Sequence, residues 1–187
     1  MSQPPFLSGR LLLSMPGIGD PRFERVVIAM CVHDESGALG IVTNNPVGDL
    51  SVRTLMTQLN VDPGVTPIDA MVMAGGPVET TRGFVVHSTD WVGQSSILVG
   101  TSWALTSTID VLRDIAAGKG PRQWLSALGY TGWGPGQLDD EMRRHGWQAA
   151  PGDADIIFDM ACSERWTAAY DRLGIAVSRL SAEPGRA

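Results

Sequence analysis

Short apolar runs dominate the first forty residues of the chain, and their lengths are typical of strands. Residues 7–15 predict a first strand, which Pro16 ends. Residues 25–33 are apolar and β-branched and predict a buried strand, and residues 38–43 predict its neighbour. A turn of about four residues separates these two segments, so we expect them to form a hairpin.

Helical spacing of apolar residues predicts four helices further along the chain. In the first, residues 52–59 place their apolar side chains at i, i+3, i+4 and i+7, and Ser51 is in position to cap it. The third is expected over residues 137–145, with acidic residues in its first turn and basic residues in its last. The second and fourth are expected to begin near Ser107 and at Ser163.

Further apolar segments predict short strands at residues 70–74, 83–88, 97–100 and 156–158. Residues 124–130 form another short apolar segment, which leads into a glycine-rich stretch. Strands come first and helices mix in later, without strict strand–helix alternation, so we expect an α+β fold. We expect one domain over residues 1–180 and a disordered polar tail over residues 181–187.

The charge balance of the chain argues against binding to nucleic acid. Of its 187 residues, 14 are Lys or Arg and 20 are Asp or Glu, which gives a net charge of −6. Lys119 is the only lysine, and the sequence contains no basic run. A general nucleic-acid binder needs a concentrated basic face, and so does a protein that binds an anionic membrane. A DNA-binding transcription regulator is therefore the least favoured function.

Cysteine content and apolar run length predict a cytoplasmic protein. Cys31 and Cys162 are too few for a disulfide framework and are expected to be reduced. The longest strictly apolar run, residues 26–32, is far too short to span a bilayer. We therefore expect no membrane association. The three histidines lie far apart in the sequence and no Cys-x-x-Cys occurs, so we expect neither a metal nor another cofactor.

Four ordered segments cover nearly the whole chain and resemble the AlgH/YqgE family of bacterial proteins. They are residues 7–46, the GGPV at 75–78 with RGFVVH at 82–87, LGYTGWGPGQLDDEM at 128–142 with Trp147, and IIFD at 156–159 with Arg165 and Trp166. The resemblance implies a strongly bent, mostly antiparallel sheet that closes into a pseudo-barrel, with helices packed outside. The family is linked by name to regulation of alginate production and has no agreed catalytic residues.

Glycine-rich segments are the first candidates for a site. After a predicted strand, Gly75, Gly76 and Pro77 can either present consecutive N–H groups to an anion or form a tight turn where backbones approach closely. Trp133 lies among glycines before the helix expected at Gln137, so it can either line a pocket near a helix N-terminus or pack as a plug over the core.

Histidine and tryptophan residues supply the remaining candidates. His87 ends a predicted strand and can act as a general base or pocket wall, or donate to a backbone carbonyl without any chemical role. Cys31 and His33 are expected to share one strand face, too far apart for direct activation of the thiol. Trp91 and Trp103 lie in or near polar segments and can either mark a partner surface or, as is more common, serve a structural role.

The hypothesis that these observations favour is a binding or interaction module with a regulatory role, which recognises a protein partner or a small ligand. The alternative is a small-ligand-binding protein or an enzyme. The candidate ligand-binding residues are Asn44, Gly75, Gly76, Pro77, His87, Trp133, Gly136 and Gln137.

Overall fold

A computed structural model describes residues 6–144 and 146–180, which form ten strands and five α-helices. The strands are β1 Leu11–Ser14, β2 Val27–Asp34, β3 Gly37–Val42, β4 Pro46–Ser51, β5 Met71–Ala74, β6 Val78–His87, β7 Ile97–Val99, β8 Trp103–Thr106, β9 Trp124–Trp133 and β10 Trp147–Ala150. The helices are α1 Val52–Gln58, α2 Asp110–Ala116, α3 Gln137–Arg143, α4 Ala154–Phe158 and α5 Cys162–Arg172.

The strands form one sheet in the order β10-β1-β2-β3-β9-β6-β8-β7, and β5 joins it at β9. Every pairing is antiparallel except the parallel pairing of β5 with β9. The sheet curls into a half-barrel with the helices packed against it. The expected α+β fold with a strongly bent, mostly antiparallel sheet is therefore confirmed.

Strand β9 is the point where the sheet bends, because it changes partners along its length. Its first half, Ser126 to Leu128, pairs with β5, whereas Thr131 to Trp133 pairs with β3. Between the two halves lies Gly129, with a φ of 77° that side-chain-bearing residues rarely adopt. Because of this change of partner, the start of β9 lies beside β5 and its end lies beside β3.

Gly75 and Gly76 allow the chain to cross β9 at this bend. A Cβ on Gly76 would lie 2.1 Å from the carbonyl carbon of Tyr130, and a Cβ on Gly75 would lie 2.4 Å from the oxygen of Gly129. A hydrogen bond from Gly75 N–H to Leu128 O at 2.8 Å holds the two backbones together at this point. The two glycines are therefore required by close backbone packing.

Apolar side chains are buried on both faces of the sheet. Along β1, Leu11 and Leu13 point into one cluster and Leu12 into another, as strand alternation requires. Helix α5 covers the first cluster with Trp166 and Tyr170. The Trp166 indole donates to Ser14 O at 2.9 Å and the Tyr170 hydroxyl donates to the same oxygen at 3.0 Å, which fixes α5 to β1.

Several elements differ from their predictions. Residues 156–158 belong to helix α4 and not to a strand, because Asp153 caps the helix by accepting from Asp155 N. Helix α5 begins at Cys162 after the uncapped Ala161, and α2 begins at Asp110 without a side-chain cap. The sequence pattern also did not predict β4, β8 or β10.

The predicted hairpin of β2 and β3 is confirmed, but a bulge lies between Met30 and Val32. A bulge breaks strand alternation, so Cys31 packs in the first cluster whereas His33 accepts from Leu7 N at 2.9 Å on the opposite side. The expectation that these two side chains share a face was therefore wrong. Trp103 is fully buried in β8, so of its two possible roles the structural one applies.

The third helix ends at Arg143, and its predicted last residue, His145, lies outside the described residues. The predicted tail over residues 181–187 lies outside them as well. No helix in the described part of the chain has the length and apolar character needed to cross a bilayer.

Replacing Gly76 by alanine is expected to destabilise the fold by about 3 kcal/mol, because the new methyl group would overlap the Tyr130 backbone and alanine disfavours a φ of 154°. Chemical denaturation followed by circular dichroism measures the change. Gly83→Ala is the matched control, since open space surrounds Gly83 and its φ is not positive. If the two variants are equally stable, close backbone packing does not require glycine at position 76.

Tyr170→Phe is expected to lower stability at neutral pH by about 1 kcal/mol through loss of its hydrogen bond. Burial raises the pKa of Tyr170 from 10.0 to about 12, so the neutral phenol stabilises the folded state below pH 10 and this contribution is lost toward pH 12. The stability difference between the two proteins should therefore shrink across that range. Cys31, whose pKa burial raises to about 12, titrates equally in both proteins. If the stabilities of wild type and Tyr170→Phe change in parallel between pH 10 and pH 12, the raised pKa of Tyr170 is contradicted.

Candidate functional site

A cavity of about 470 Å³ lies where the end of β9 meets α3, β10 and the segment of residues 18–23. We call it the tryptophan cleft. Its lining residues are Ile18, Asp20, Arg22, Phe23, Pro77, Thr131, Gly132, Trp133, Gln137, Glu141, Arg144, Gly146 and Trp147.

Trp133 reaches the cleft because β9 crosses to pair with β3, where Trp133 lies opposite Ala38. The chain then turns, and Gly136 adopts a left-handed φ of 71° at the start of α3. Gln137 stabilises the turn, since its Oε1 accepts from Gly134 N at 3.0 Å. Helix α3 therefore folds back alongside the strand it follows.

Glu141 is the centre of the polar contacts in the cleft. Its Oε2 accepts the indole N–H groups of Trp133 and Trp147, each at 2.9 Å. Its Oε1 accepts from the side-chain amide of Gln137 at 3.1 Å. The donors come from β9, α3 and β10, so one carboxylate fixes three elements around the cavity.

Aromatic rings form a continuous row along the cleft. Phe23 and Trp147 meet edge to face with centroids 5.5 Å apart, and Trp147 meets Trp133 in the same way at 6.1 Å. Edge-to-face pairs of this kind are favourable beyond the area that they bury. Because both indoles are hydrogen-bonded, the row is held rigid.

Two arginines line the cleft, and only one of them forms an ion pair within the described residues. Arg22 forms a forked ion pair with Asp20, and their side-chain hydrogen bonds lower the pKa of Asp20 and raise that of Arg22. The Arg144 side chain lines the cleft without an ion-pair or hydrogen-bond partner among residues 6–144 and 146–180. Arg144 is therefore the cation that remains available to a bound group.

Three of the predicted site residues, Pro77, Trp133 and Gln137, line the tryptophan cleft together. Gly136 lies next to them at the start of α3. Gly75 and Gly76 lie behind the cleft, where they pack against β9. The N–H of Gly75 is bonded to Leu128 O, so it does not face a ligand.

Asn44 holds the start of β2 in place. Its Oδ1 accepts from Val27 N at 2.9 Å, and its Nδ2 donates to Arg25 O at 2.9 Å. Both polar ends of the side chain are used within the fold, and Asn44 does not line the cleft.

His87 is fully buried and lies away from the cleft. It pairs with Trp124 at the start of β9, whereas Val78 pairs with Tyr130 near the other end, roughly 20 Å further along the strand. Its Nδ1 bonds with Ser88 O and its Nε2 with Thr106 Oγ1, both at 2.8 Å. Burial lowers its pKa, which favours the neutral imidazole.

Sequence reasoning missed the part of the cleft that comes from distant segments. Glu141 was expected only to complement the dipole of α3, although its spacing from Gln137 is that of side chains one helical turn apart. Phe23 and the segment that carries it approach through the pairing of β1 with β10, which no local signal indicates.

A larger cavity of about 630 Å³ lies on the other side of the same segment and shares Ile18 and Asp20 with the cleft. The Arg25 guanidinium covers part of its wall by stacking 4.8 Å above the Trp166 ring. Its polar groups do not converge on one point as they do at Glu141, so we take the tryptophan cleft as the candidate site.

Comparison with known sequences identifies close relatives in other bacteria. A UPF0301 protein of Rhizorhabdus wittichii is 56% identical over 187 residues, which is the full length of both chains. A UPF0301 protein of Novosphingobium aromaticivorans is 51% identical, also over the full length of both. The model of the AlgH-like family matches residues 11–178.

Comparison with solved structures agrees with the sequence matches. The solution structure of the AlgH protein from Pseudomonas aeruginosa has a TM-score of 0.78 and 38% identity, and the match covers 100% of this chain and 99% of that one. A Corynebacterium diphtheriae protein shares the fold with a TM-score of 0.73 at 18% identity, over 92% of this chain and 90% of its own. The family match, the full-length relatives and the shared fold together show that this chain belongs to the AlgH-like family of UPF0301 proteins.

Proposed function

We propose that this protein is a binding module with a regulatory role and that the tryptophan cleft is its recognition site. The observation that carries the proposal is the convergence of Trp133, Trp147 and Gln137 on the carboxylate of Glu141 at the edge of a cavity of about 470 Å³. The regulatory part rests on the resemblance to the AlgH family, and the binding part rests on this geometry.

A cleft organised in this way suits recognition because its walls are fixed before a ligand arrives. Three N–H donors hold Glu141, so a ligand need not order these side chains on binding. The volume lies within the range of small-molecule sites, which are mostly apolar with a few convergent polar groups.

The lining favours a ligand with an apolar body and an acidic group. Pro77, Phe23 and the tryptophans offer an apolar wall. Asp20 pairs with Arg22 and Glu141 is occupied by N–H donors, so the remaining charge is that of Arg144. An acidic group on the ligand would complement that charge.

An enzyme that uses His87 as its base has less support than a binding module. The imidazole is bonded at both nitrogens and buried far from the cleft. A general base must come within hydrogen-bond reach of the proton that it removes.

Arg144→Glu is expected to abolish stabilisation by a ligand of the cleft, because it reverses the charge that would meet the acidic group. The measurement is a thermal-shift screen of purified protein against small organic acids and neutral metabolites. A ligand at 100 times its dissociation constant stabilises by about 2.7 kcal/mol, which raises the midpoint by roughly 5 °C or more for a chain of this size.

Arg113→Glu is the matched control for this screen, since Arg113 is an exposed arginine on α2 and lies outside the cleft. The control should keep the response to every compound that stabilises the wild type. If every acid that stabilises the wild type acts equally on Arg144→Glu, or if none stabilises the wild type, the assignment of the cleft as an acid-binding site fails.

Glu141→Gln is expected to destabilise the protein by about 1–3 kcal/mol and to alter tryptophan emission. One carboxylate oxygen becomes an NH₂ group, which cannot accept from the indoles or from Gln137. Denaturation and intrinsic fluorescence measure the two effects. Glu164→Gln, on the exposed surface of α5, should leave both unchanged. Identical behaviour of the two variants would contradict the role given to Glu141.

A further inference from the structure

Arg165 is a buried arginine without a counter-charge. Only 7% of the residue is exposed, yet none of the ion pairs among the described residues includes it. Burial lowers its pKa, but a guanidinium remains protonated in a protein. Buried charges are normally paired, because an unpaired one loses its hydration without compensation.

The hydrogen bonds of Arg165 occupy only part of its guanidinium group. Its Nε donates to Met160 O at 2.9 Å, and its Nη1 donates to Thr43 O. Its Nη2 has no acceptor among the described residues and is not one of the atoms sealed from solvent. The free edge of the guanidinium can therefore donate to another group.

A cavity of about 490 Å³ lies beside this guanidinium, and we call it the α5 pocket. Polar and apolar surface contribute about equally to its walls. The larger apolar and sulfur-containing side chains that line it are Met71, Met73, Trp124, Leu125, Phe158, Met160 and Cys162. The volume falls in the range of small-molecule sites.

The N-terminus of α5 opens on the same pocket. The helix has 11 residues and begins after Ala161, which provides no side-chain cap. Cys162, its first residue, lines the pocket. Uncapped N–H groups and the helix dipole add to the positive potential produced by Arg165.

None of the acidic residues around the pocket forms an ion pair with Arg165 among the described residues. Asp159 accepts two hydrogen bonds from the Gln123 amide, at 3.0 and 3.1 Å. Asp69 lines the pocket but forms no ion pair with Arg165, and Glu164 lies on the exposed side of the first turn. Arg122, the other arginine of the lining, pairs with Asp90 at 3.8 Å.

We propose that the α5 pocket binds a small organic anion, with its carboxylate or phosphate group on Arg165 and its apolar body against the methionine and aromatic wall. The planar guanidinium edge suits both groups, since each offers two oxygens side by side. This site is separate from the tryptophan cleft and does not depend on the function proposed for it.

Hexanoate and phenyl phosphate are suitable probes, because they carry the two candidate head groups on small apolar bodies. Thermal shift should show stabilisation by one or both at millimolar concentration, with sodium chloride at equal ionic strength as the baseline. Hexylamine has the same body as hexanoate with the opposite charge and should not stabilise. A response to phenyl phosphate alone would assign the head group as phosphate, and a response to hexanoate alone would assign it as carboxylate.

Arg165→Met is expected to weaken probe binding roughly 10-fold or more, since it removes a charged hydrogen-bond donor. Arg53→Met is the matched control. Arg53 also donates to backbone carbonyls, those of Gly64 and Thr66, but lies outside the pocket. The control should bind the probes like the wild type. Equal binding by Arg165→Met and wild type would overturn the proposal.

Alkylation of Cys162 gives a second readout that needs no variant. Cys162 is partly exposed in the pocket, whereas Cys31 is buried, so iodoacetamide should modify Cys162 first. A bound probe should slow this modification several-fold, and hexylamine should not. If Arg165→Met does not fold, protection of Cys162 in the wild-type protein decides whether the probes bind in the α5 pocket. An unchanged alkylation rate at saturating hexanoate and phenyl phosphate would refute the site.

Discussion

The crossing of two backbones at Gly75–Gly76 and Gly129 is the constraint on which the rest of the fold depends. A side chain at any of these positions would overlap main-chain atoms of the opposing segment. Because the segments can approach so closely, β9 leaves β5 and continues along β3. That continuation places Trp133 beside α3 and β10 and so creates the tryptophan cleft. The sheet bends where it does because glycine has no Cβ.

The surroundings of the Glu141 carboxylate and of the Arg165 guanidinium are opposite in kind. The carboxylate of Glu141 receives three N–H donors, which makes it a structural centre with little capacity left for a ligand. The guanidinium of Arg165 donates to two carbonyl oxygens and to no carboxylate among the described residues. A saturated group contributes rigidity, whereas an unsaturated buried charge is unfavourable until something binds it. The cavities beside Glu141 and Arg165 thus differ in how far their central charge is satisfied within the fold.

The sequence predicted correctly those elements that are determined by neighbouring residues in the chain. The β2–β3 hairpin follows from two apolar runs separated by a short turn, and the α1 helix follows from helical spacing. The glycine motif was recognised, but sequence alone could not decide between a nest and a crossing, because the partner strand lies some fifty residues away. The bulge that separates Cys31 from His33 leaves no mark in the apolar pattern. Residues 156–158 were misassigned because a short apolar run fits a buried strand and a buried helix equally well.

The pairing of β1 with β10 also constrains how the protein is made. Leu11 lies opposite Ala150, so one edge of the first strand stays open until almost the whole chain has left the ribosome. Synthesis at about 5–20 residues per second leaves that apolar edge unpaired for several seconds or more. Unpaired strand edges are templates for pairing with other chains. The edge of β1 is therefore open to pairing with another chain until residue 150 emerges.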